Sequence, residues 1–177
     1  EEDHAGEGAV GEVILNLTAP EPLQQHHDFT VFQSGEESLN HWLKTRALQN
    51  QQSGASRTFV VCHHNRIMAY YALSTGVITC SQAAGRFRRN MPPEIPVILP
   101  GRLAVDESVK GRGIGRGLIK DAALRVLQAA GIVGIRGIVV RALSDNARRF
   151  YEHTGFMPSP ADPMLLMITL RDLQLAT

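Results

Sequence analysis

Only two cysteines occur in the 177 residues, and they stand apart without CxxC spacing. Buried thiols are therefore expected at Cys62 and Cys80, both in strand-like runs, rather than a disulfide or zinc ligands. No apolar stretch is long enough to span a bilayer, and no basic-then-apolar start marks export. A membrane is not an expected partner, and the cytoplasm is the expected location. Lysine and arginine are missing from residues 1–12, which hold Glu1, Glu2, Asp3, Glu7 and Glu12. The remainder carries 18 cations against 12 carboxylates, a net of +6, a balance that admits an acidic partner such as RNA. Residues 1–18 are expected to be an acidic arm, disordered or left over from expression, and residues 19–177 one domain large enough to bury a core without staples. No internal repeat is found.

Periodicity supplies the elements. In "SGEESLNHWLKTRALQN" Ser34 and Glu37 have the spacing of a capping box, and Leu39, Trp42, Leu43 and Ala47 follow at helical intervals. "RTFVVCHH" and "IMAYYALSTGVITC" read as an antiparallel hairpin turning at Asn65 and Arg66. After the basic, proline-rich "AAGRFRRNMPPEIP", a strand is expected from Val97 to Val105, with Pro100 and Gly101 marking a bulge or splayed edge. A helix carrying Leu118, Ile119, Ala122, Ala123, Val126 and Leu127 on one face follows, ending near Gly131. "GIVVRA" is the next strand, Ser144 caps a short helix through Phe150 and Tyr151 to Gly155, and "MLLMITL" is the last strand. The alternation is that of an α/β or α+β domain with a mixed sheet.

Between strand and helix stands "VDESVKGRGIGRGLI", with four glycines and three cations. Free amides and the positive end of a helix dipole at such a junction bind phosphate. Two familiar loops are excluded. From Gly113 a GxGxxG pattern needs glycine at Leu118, and from Gly111 it needs glycine at Arg116; the triphosphate loop needs Gly-Lys, a dipeptide the chain lacks.

What is present, Lys110-Gly-Arg-Gly113-Ile-Gly115 after "GRLAVD", resembles the (Gln/Arg)-x-x-Gly-x-(Gly/Ala) pyrophosphate loop of the GNAT acetyltransferase superfamily. Lys110 stands where that family usually has Gln or Arg. "SDNARRFYEHTGF", residues 144–156, resembles its second signature, an Asn opening a helix, an aromatic pair and Gly-Phe. With "FQSGEESLNHWLKTRALQNQQSGASRTFVV", "YYALSTGVI", "RRNMPPEIPVILPGRLAVD" and "PMLLMITL", the chain from Ala19 to Leu173 is similar to GNAT toxins encoded beside ribbon-helix-helix antitoxins. The resemblance implies a GNAT fold over residues 19–177: a mixed, mostly antiparallel sheet flanked by helices, with a splayed cofactor-binding strand. It implies a toxin that moves acetyl from acetyl-CoA to the α-amine of aminoacyl-tRNA and so blocks translation. Partners would be aminoacyl-tRNA, a ribbon-helix-helix antitoxin that binds operator DNA in complex, and a second copy in a homodimer.

The same resemblance assigns roles. The backbone of Leu103, Ala104 and Val105 would hold the pantetheine arm, and Lys110 with Arg112, Gly113, Ile114, Gly115 and Arg116 the pyrophosphate. Asn146 would bond the cofactor arm, and Tyr151 would donate a proton to the coenzyme A sulfur. No general base stands out; Asp106 and Glu107 are candidates only through water, and a peptide α-amine with pKa about 7.7–8 is already partly neutral at pH 7. His63 and His64 are adjacent on a strand and are not expected to share a metal. For RNA the candidates are Arg86, Arg88 and Arg89, with Arg148 and Arg149 beside Tyr151; Arg102 at the start of the cofactor strand is open to a structural role. The alternative is a GNAT N-acetyltransferase acting on a small-molecule or protein amine, which should have an acidic acceptor cleft. A non-catalytic nucleic-acid module would have no use for Tyr151.

Overall fold

The computed structural model describes residues 16–176. Strands β1 (Glu21–Pro22), β2 (Arg57–His63), β3 (Arg66–Thr79), β4 (Glu94–Val105), β5 (Gly137–Arg141), β6 (Met157–Pro158) and β7 (Leu165–Thr169) form one sheet in the order β1-β2-β3-β4-β5-β7-β6. Only β4 and β5 run parallel; every other neighbouring pair is antiparallel. That parallel pair requires a crossover, supplied by α4 (Ile114–Ala130). Among the described residues no helix is long and apolar enough to cross a membrane.

Strand alternation divides the core between two faces. Tyr70, Ala72 and Ala104 pack under α1 (Glu37–Thr45) and α2 (Ala47–Ser53), where Leu39, Trp42, Leu43 and Ala47 are buried. On the same face Ile95, Val97, Val139 and Met167 surround Phe87 of α3 (Gly85–Arg88). The opposite face sends Tyr71, Ile98, Ile138, Val140, Leu166 and Ile168 against α4, α5 (Asp145–His153) and α6 (Leu170–Ala176). Ser144 caps α5 as expected, its hydroxyl accepting from Ala147 N at 3.1 Å.

Several local expectations give way to side-chain chemistry. Ser34 does not cap α1: its hydroxyl donates to Asn40 Oδ1 at 2.7 Å, satisfying a buried amide, and the helix starts at Glu37 after Glu36. The long first helix breaks at Arg46 into α1 and α2. The hairpin turns at His64 and Asn65, which take φ of 49° and 64°, so that Arg66 already pairs with His63. β4 begins at Glu94 rather than Val97, and the basic loop contains α3. Of the segment read as an acidic arm, residues 1–15 lie outside the described residues. Residues 16–18 run beside β2, where Thr18 N donates to Cys62 O at 2.9 Å and Cys62 N to Thr18 Oγ1 at 3.0 Å. Both cysteines are free thiols; Cys62 is buried, whereas Cys80 is only half-buried just past β3.

Candidate active site: a cleft where two strands part

The bulge expected at Pro100 and Gly101 is present and sets the site. Leu73 pairs with Pro100 and Ala72 with Arg102, leaving Gly101 unmatched. β4 and β5 are paired only at Ile98 and Ile138, so the edge of β4 from Leu99 onward leaves its parallel neighbour. A cleft of about 720 Å³ fills the gap. Its walls are β4 residues 101–105, the following glycine loop, Leu143, Ser144, Asn146 and Ala147 with Phe150 and Tyr151 on one face of α5, and the segment leading into α1.

The loop is shaped by its glycines in two ways. Gly111 and Gly113 both take φ of +78°, and Gly113 ends the loop as the residue before α4 with no side chain capping the helix. The first amides of α4 therefore lack intrahelical acceptors and face the cleft with the positive end of a 17-residue helix. Gly115 is helical instead, and a Cβ there would stand 3.3 Å from Phe150 Cζ. Lys110 Nζ donates to Ser34 O, tying the loop to the segment before α1. Asp106 anchors the other end: it accepts from Gln33 N at 2.9 Å and from Ser108 N and Oγ at 3.0 and 2.7 Å. Burial opposes its ionisation, but these bonds win and hold the carboxyl below its ordinary range. With its oxygens so engaged, Asp106 is a structural anchor rather than a proton acceptor.

Tyr151 comes from the inward face of α5, buried to 7% exposure and meeting Phe150 and Phe156 edge-on at 5.3 and 5.4 Å. Its hydroxyl has no hydrogen-bond partner among the described residues, and burial pushes the phenol up to about 12. It is thus a protonated donor at every physiological pH, with its hydrogen free for whatever occupies the cleft.

The structure brings together Leu103, Ala104, Val105, Lys110, Gly113, Ile114, Gly115, Arg116, Asn146 and Tyr151, all of which line the cleft. Arg112 is exposed and does not. None of Arg86, Arg88, Arg89, Arg148 and Arg149 lines it either. Arg86 pairs with Asp172 at 3.3 Å, and Arg148 with Asp145 and Glu152 at 3.8 and 3.3 Å, while Arg88, Arg89 and Arg149 are exposed. Arg86 and Arg89 border a second groove together with Arg136 and Arg171. Sequence reasoning missed Ser34, Gly35, Glu36 and Leu39 as cleft residues, because more than 70 positions of chain separate them from Lys110 and the glycine loop they face.

Glu21, His27 and Cys62 form a metal-like grouping, with ligand atoms within 4.8 Å of one another. Gln24 N donates to His27 Nδ1 at 2.9 Å, which leaves the proton on Nε2, 3.0 Å from Glu21. Ligation through Nε2 would require a proton on Nδ1, facing the Gln24 N–H, so the cluster fits a hydrogen-bonded core histidine better than a metal.

A parallel pair that parts at a bulge, beside a glycine loop feeding a helix, makes a cleft suited to an extended ligand with an anionic end, and the family match makes it that of an acetyl-CoA-dependent acetyltransferase. The GNAT acetyltransferase domain model matches residues 54–158, and the chain belongs to that family. It is 48% identical over 159 residues to a tRNA-acetylating toxin of Mycobacterium tuberculosis, covering 90% of this chain and 96% of that protein. Among solved structures, a tyrosine-to-phenylalanine mutant of KacT superposes with a TM-score of 0.84 at 28% identity, over 91% of this chain and 99% of that one. AtaT complexed with acetyl-methionyl-tRNA superposes at 0.82, also 28% identical, over 90% and 98%. Further structures of these toxins hold the C-terminus of the antitoxin AtaR with acetyl-CoA, or the KacTA pair with DNA.

Proposed function

We propose that this protein is a toxin that transfers acetyl from acetyl-CoA to the α-amine of aminoacyl-tRNA, so that the acetylated amine can no longer attack a peptidyl ester. The observation that carries the reading is 48% identity over nearly the whole length to a tRNA-acetylating toxin, joined to a cleft where β4 parts from β5 beside the glycine loop. The glycine-loop amides from Arg112 to Arg116 receive the pyrophosphate, and the free edge of Leu103 to Val105 receives the pantetheine as an added strand. Asn146 bonds that arm. Bound acetyl-CoA would supply a thioester carbon open to the neutral α-amine, with the C–S bond as the one broken; the Tyr151 phenol would direct its O–H at the departing sulfur. The attacking nitrogen gives its proton to water before the C–S bond breaks, and the Tyr151 phenol, too weak an acid to ionise, keeps its proton in a hydrogen bond to the sulfur.

The same proposal gives the enzyme an antitoxin of ribbon-helix-helix type, a homodimeric state and a cytoplasmic location, where charged tRNA is found. It also assigns Arg86, Arg88, Arg89, Arg148 and Arg149 to RNA phosphates; support comes from the exposure of Arg88, Arg89 and Arg149 and their lack of ion pairs among the described residues. Replacing Arg88 and Arg89 by Ala should reduce the log–log salt slope of tRNA binding by roughly 1.4–1.8, about 0.7–0.9 per phosphate contact. An unchanged slope in a filter-binding titration would return both to ordinary solvated surface. The activity itself is tested in a cell-free translation extract. Synthesis should stop only when enzyme and acetyl-CoA are both present, and resume when the enzyme is removed and excess freshly charged tRNA is added. Arrest without acetyl-CoA, or arrest that fresh charged tRNA does not relieve, would contradict it.

A further inference from the structure

Four cations line the cleft: Arg102, Lys110, Arg116 and Arg141. Three have evident places. Lys110 donates to Ser34 O, Arg141 pairs with Asp162 at 2.8 Å, and Arg116 stands exposed in the first turn of α4. Arg102 is half-buried, and its side chain makes no hydrogen bond or ion pair among the described residues. Its guanidinium lies 4.5 Å from the centre of the Trp42 ring. Trp42 in turn stacks on Tyr70 at 6.0 Å and 13°, and the Tyr70 hydroxyl is fixed by donating to Leu39 O at 2.7 Å.

This wall holds the face of the guanidinium and leaves its edge donors open. Half-buried against the ring, the guanidinium has lost part of its hydration with no protein acceptor in return, and Arg102 stays charged. An anion along the free edge would offset that cost with charge-assisted, bidentate bonds. The bulge is what aims it. Because Gly101 is unmatched, Leu99 and Arg102 share the face covered by α1 to α3 although three residues apart; a regular strand would turn Arg102 toward α4.

The anion is not one of the cofactor's. Arg102 precedes Val105 by three strand residues, about 10 Å, and the glycine loop lies farther along the chain. With the pyrophosphate at that loop and an uncharged pantetheine running back along Leu103 to Val105, the thioester end is what approaches Arg102. A charge there must come with the acceptor. We propose that Arg102, stacked on Trp42, binds the phosphate joining the last two nucleotides of the aminoacyl-tRNA acceptor end. That phosphate is one ribose and one ester linkage from the α-amine, so holding it positions the nucleophile. The inference rests on the acceptor assigned above.

The test compares charged tRNA having the natural terminal linkage with charged tRNA in which that linkage is a neutral methylphosphonate. For the unmodified enzyme the neutral linkage should lower kcat/KM about 10- to 100-fold, the worth of a hydrogen bond to a charged group. Arg102→Gln should lose a similar factor on natural tRNA and almost nothing more on the neutral linkage, since both changes remove one contact. Arg102→Lys should recover part of the loss. Acetyl-CoA affinity by calorimetry should stay at the unmodified value in both variants, which also reports that they are folded. If the neutral linkage costs Arg102→Gln as much as the unmodified enzyme, the phosphate is bound elsewhere and the proposal fails. A loss of acetyl-CoA affinity would hand the anion to the cofactor and overturn it equally. An unmodified enzyme that acetylates neither tRNA refutes the acceptor reading itself, an outcome distinct from both.

Discussion

Tyr151→Phe should lower kcat by about 10²- to 10⁴-fold, the usual contribution of a positioned acid, with acetyl-CoA affinity and melting temperature close to those of the unmodified enzyme. The ring keeps its edge-on contacts with Phe150 and Phe156, and the lost hydroxyl leaves no partner unsatisfied within the fold. From so weak an acid, pushed up to about 12 by burial, complete transfer to a thiolate is uphill. The effect therefore comes from a hydrogen bond that strengthens as charge develops on sulfur. The sign of the pH dependence follows: the phenol is protonated throughout the working range, so kcat/KM should rise with pH as the α-amine loses its proton and level off above the amine's pKa. Tyr151→Phe should keep that rising limb at a reduced plateau. Near-normal turnover in the variant would remove Tyr151 from the proton's path.

The second large effect is expected at Gly115. Gly115→Glu puts a Cβ 3.3 Å from the Phe150 ring and a carboxylate at the helix end that would receive the pyrophosphate, where like charge and lost amide bonds act together. Acetyl-CoA binding should weaken about 100-fold or more, on the scale of a lost charge-assisted bond or two. Gly113→Ala is a useful contrast. Its Cβ would meet no protein atom within 4 Å, so in the free enzyme the change strains only the left-handed backbone, φ +78°, at about 1–2 kcal/mol, read as a fall in melting temperature. Unchanged calorimetric affinity in Gly115→Glu would move the cofactor away from α4.

Local chemistry made much of this legible in the sequence. The glycine loop, the Ser144 cap and the Pro100–Gly101 bulge each depend on residues within a few positions, and each is present. What failed was decided at longer range. Ser34 was spent on Asn40 rather than on the helix end, because burying an amide without a partner costs more than leaving a solvent-facing cap to water. The arginines near Tyr151 in sequence lie outside the cleft, because α5 turns Tyr151 inward and leaves Arg149 to solvent, a placement that leaves their assignment to RNA phosphates standing as proposed. Arg102 lay in plain view within the cofactor strand. Its significance rests on Trp42, sixty residues earlier, and on a bulge whose effect on facing shows only once β3 and β4 are paired.

The acceptor is the center of the functional reading, and transfer of labelled acetyl from acetyl-CoA tests it most directly. Charged tRNA should become labelled, while the same tRNA after mild alkaline deacylation should take up none, since hydrolysis removes the only strongly nucleophilic amine. Free amino acid should remain a poor acceptor, because it lacks the phosphates that position it. Label in deacylated tRNA, or in ribosomal protein ahead of charged tRNA, would contradict the assignment and move the enzyme to another amine.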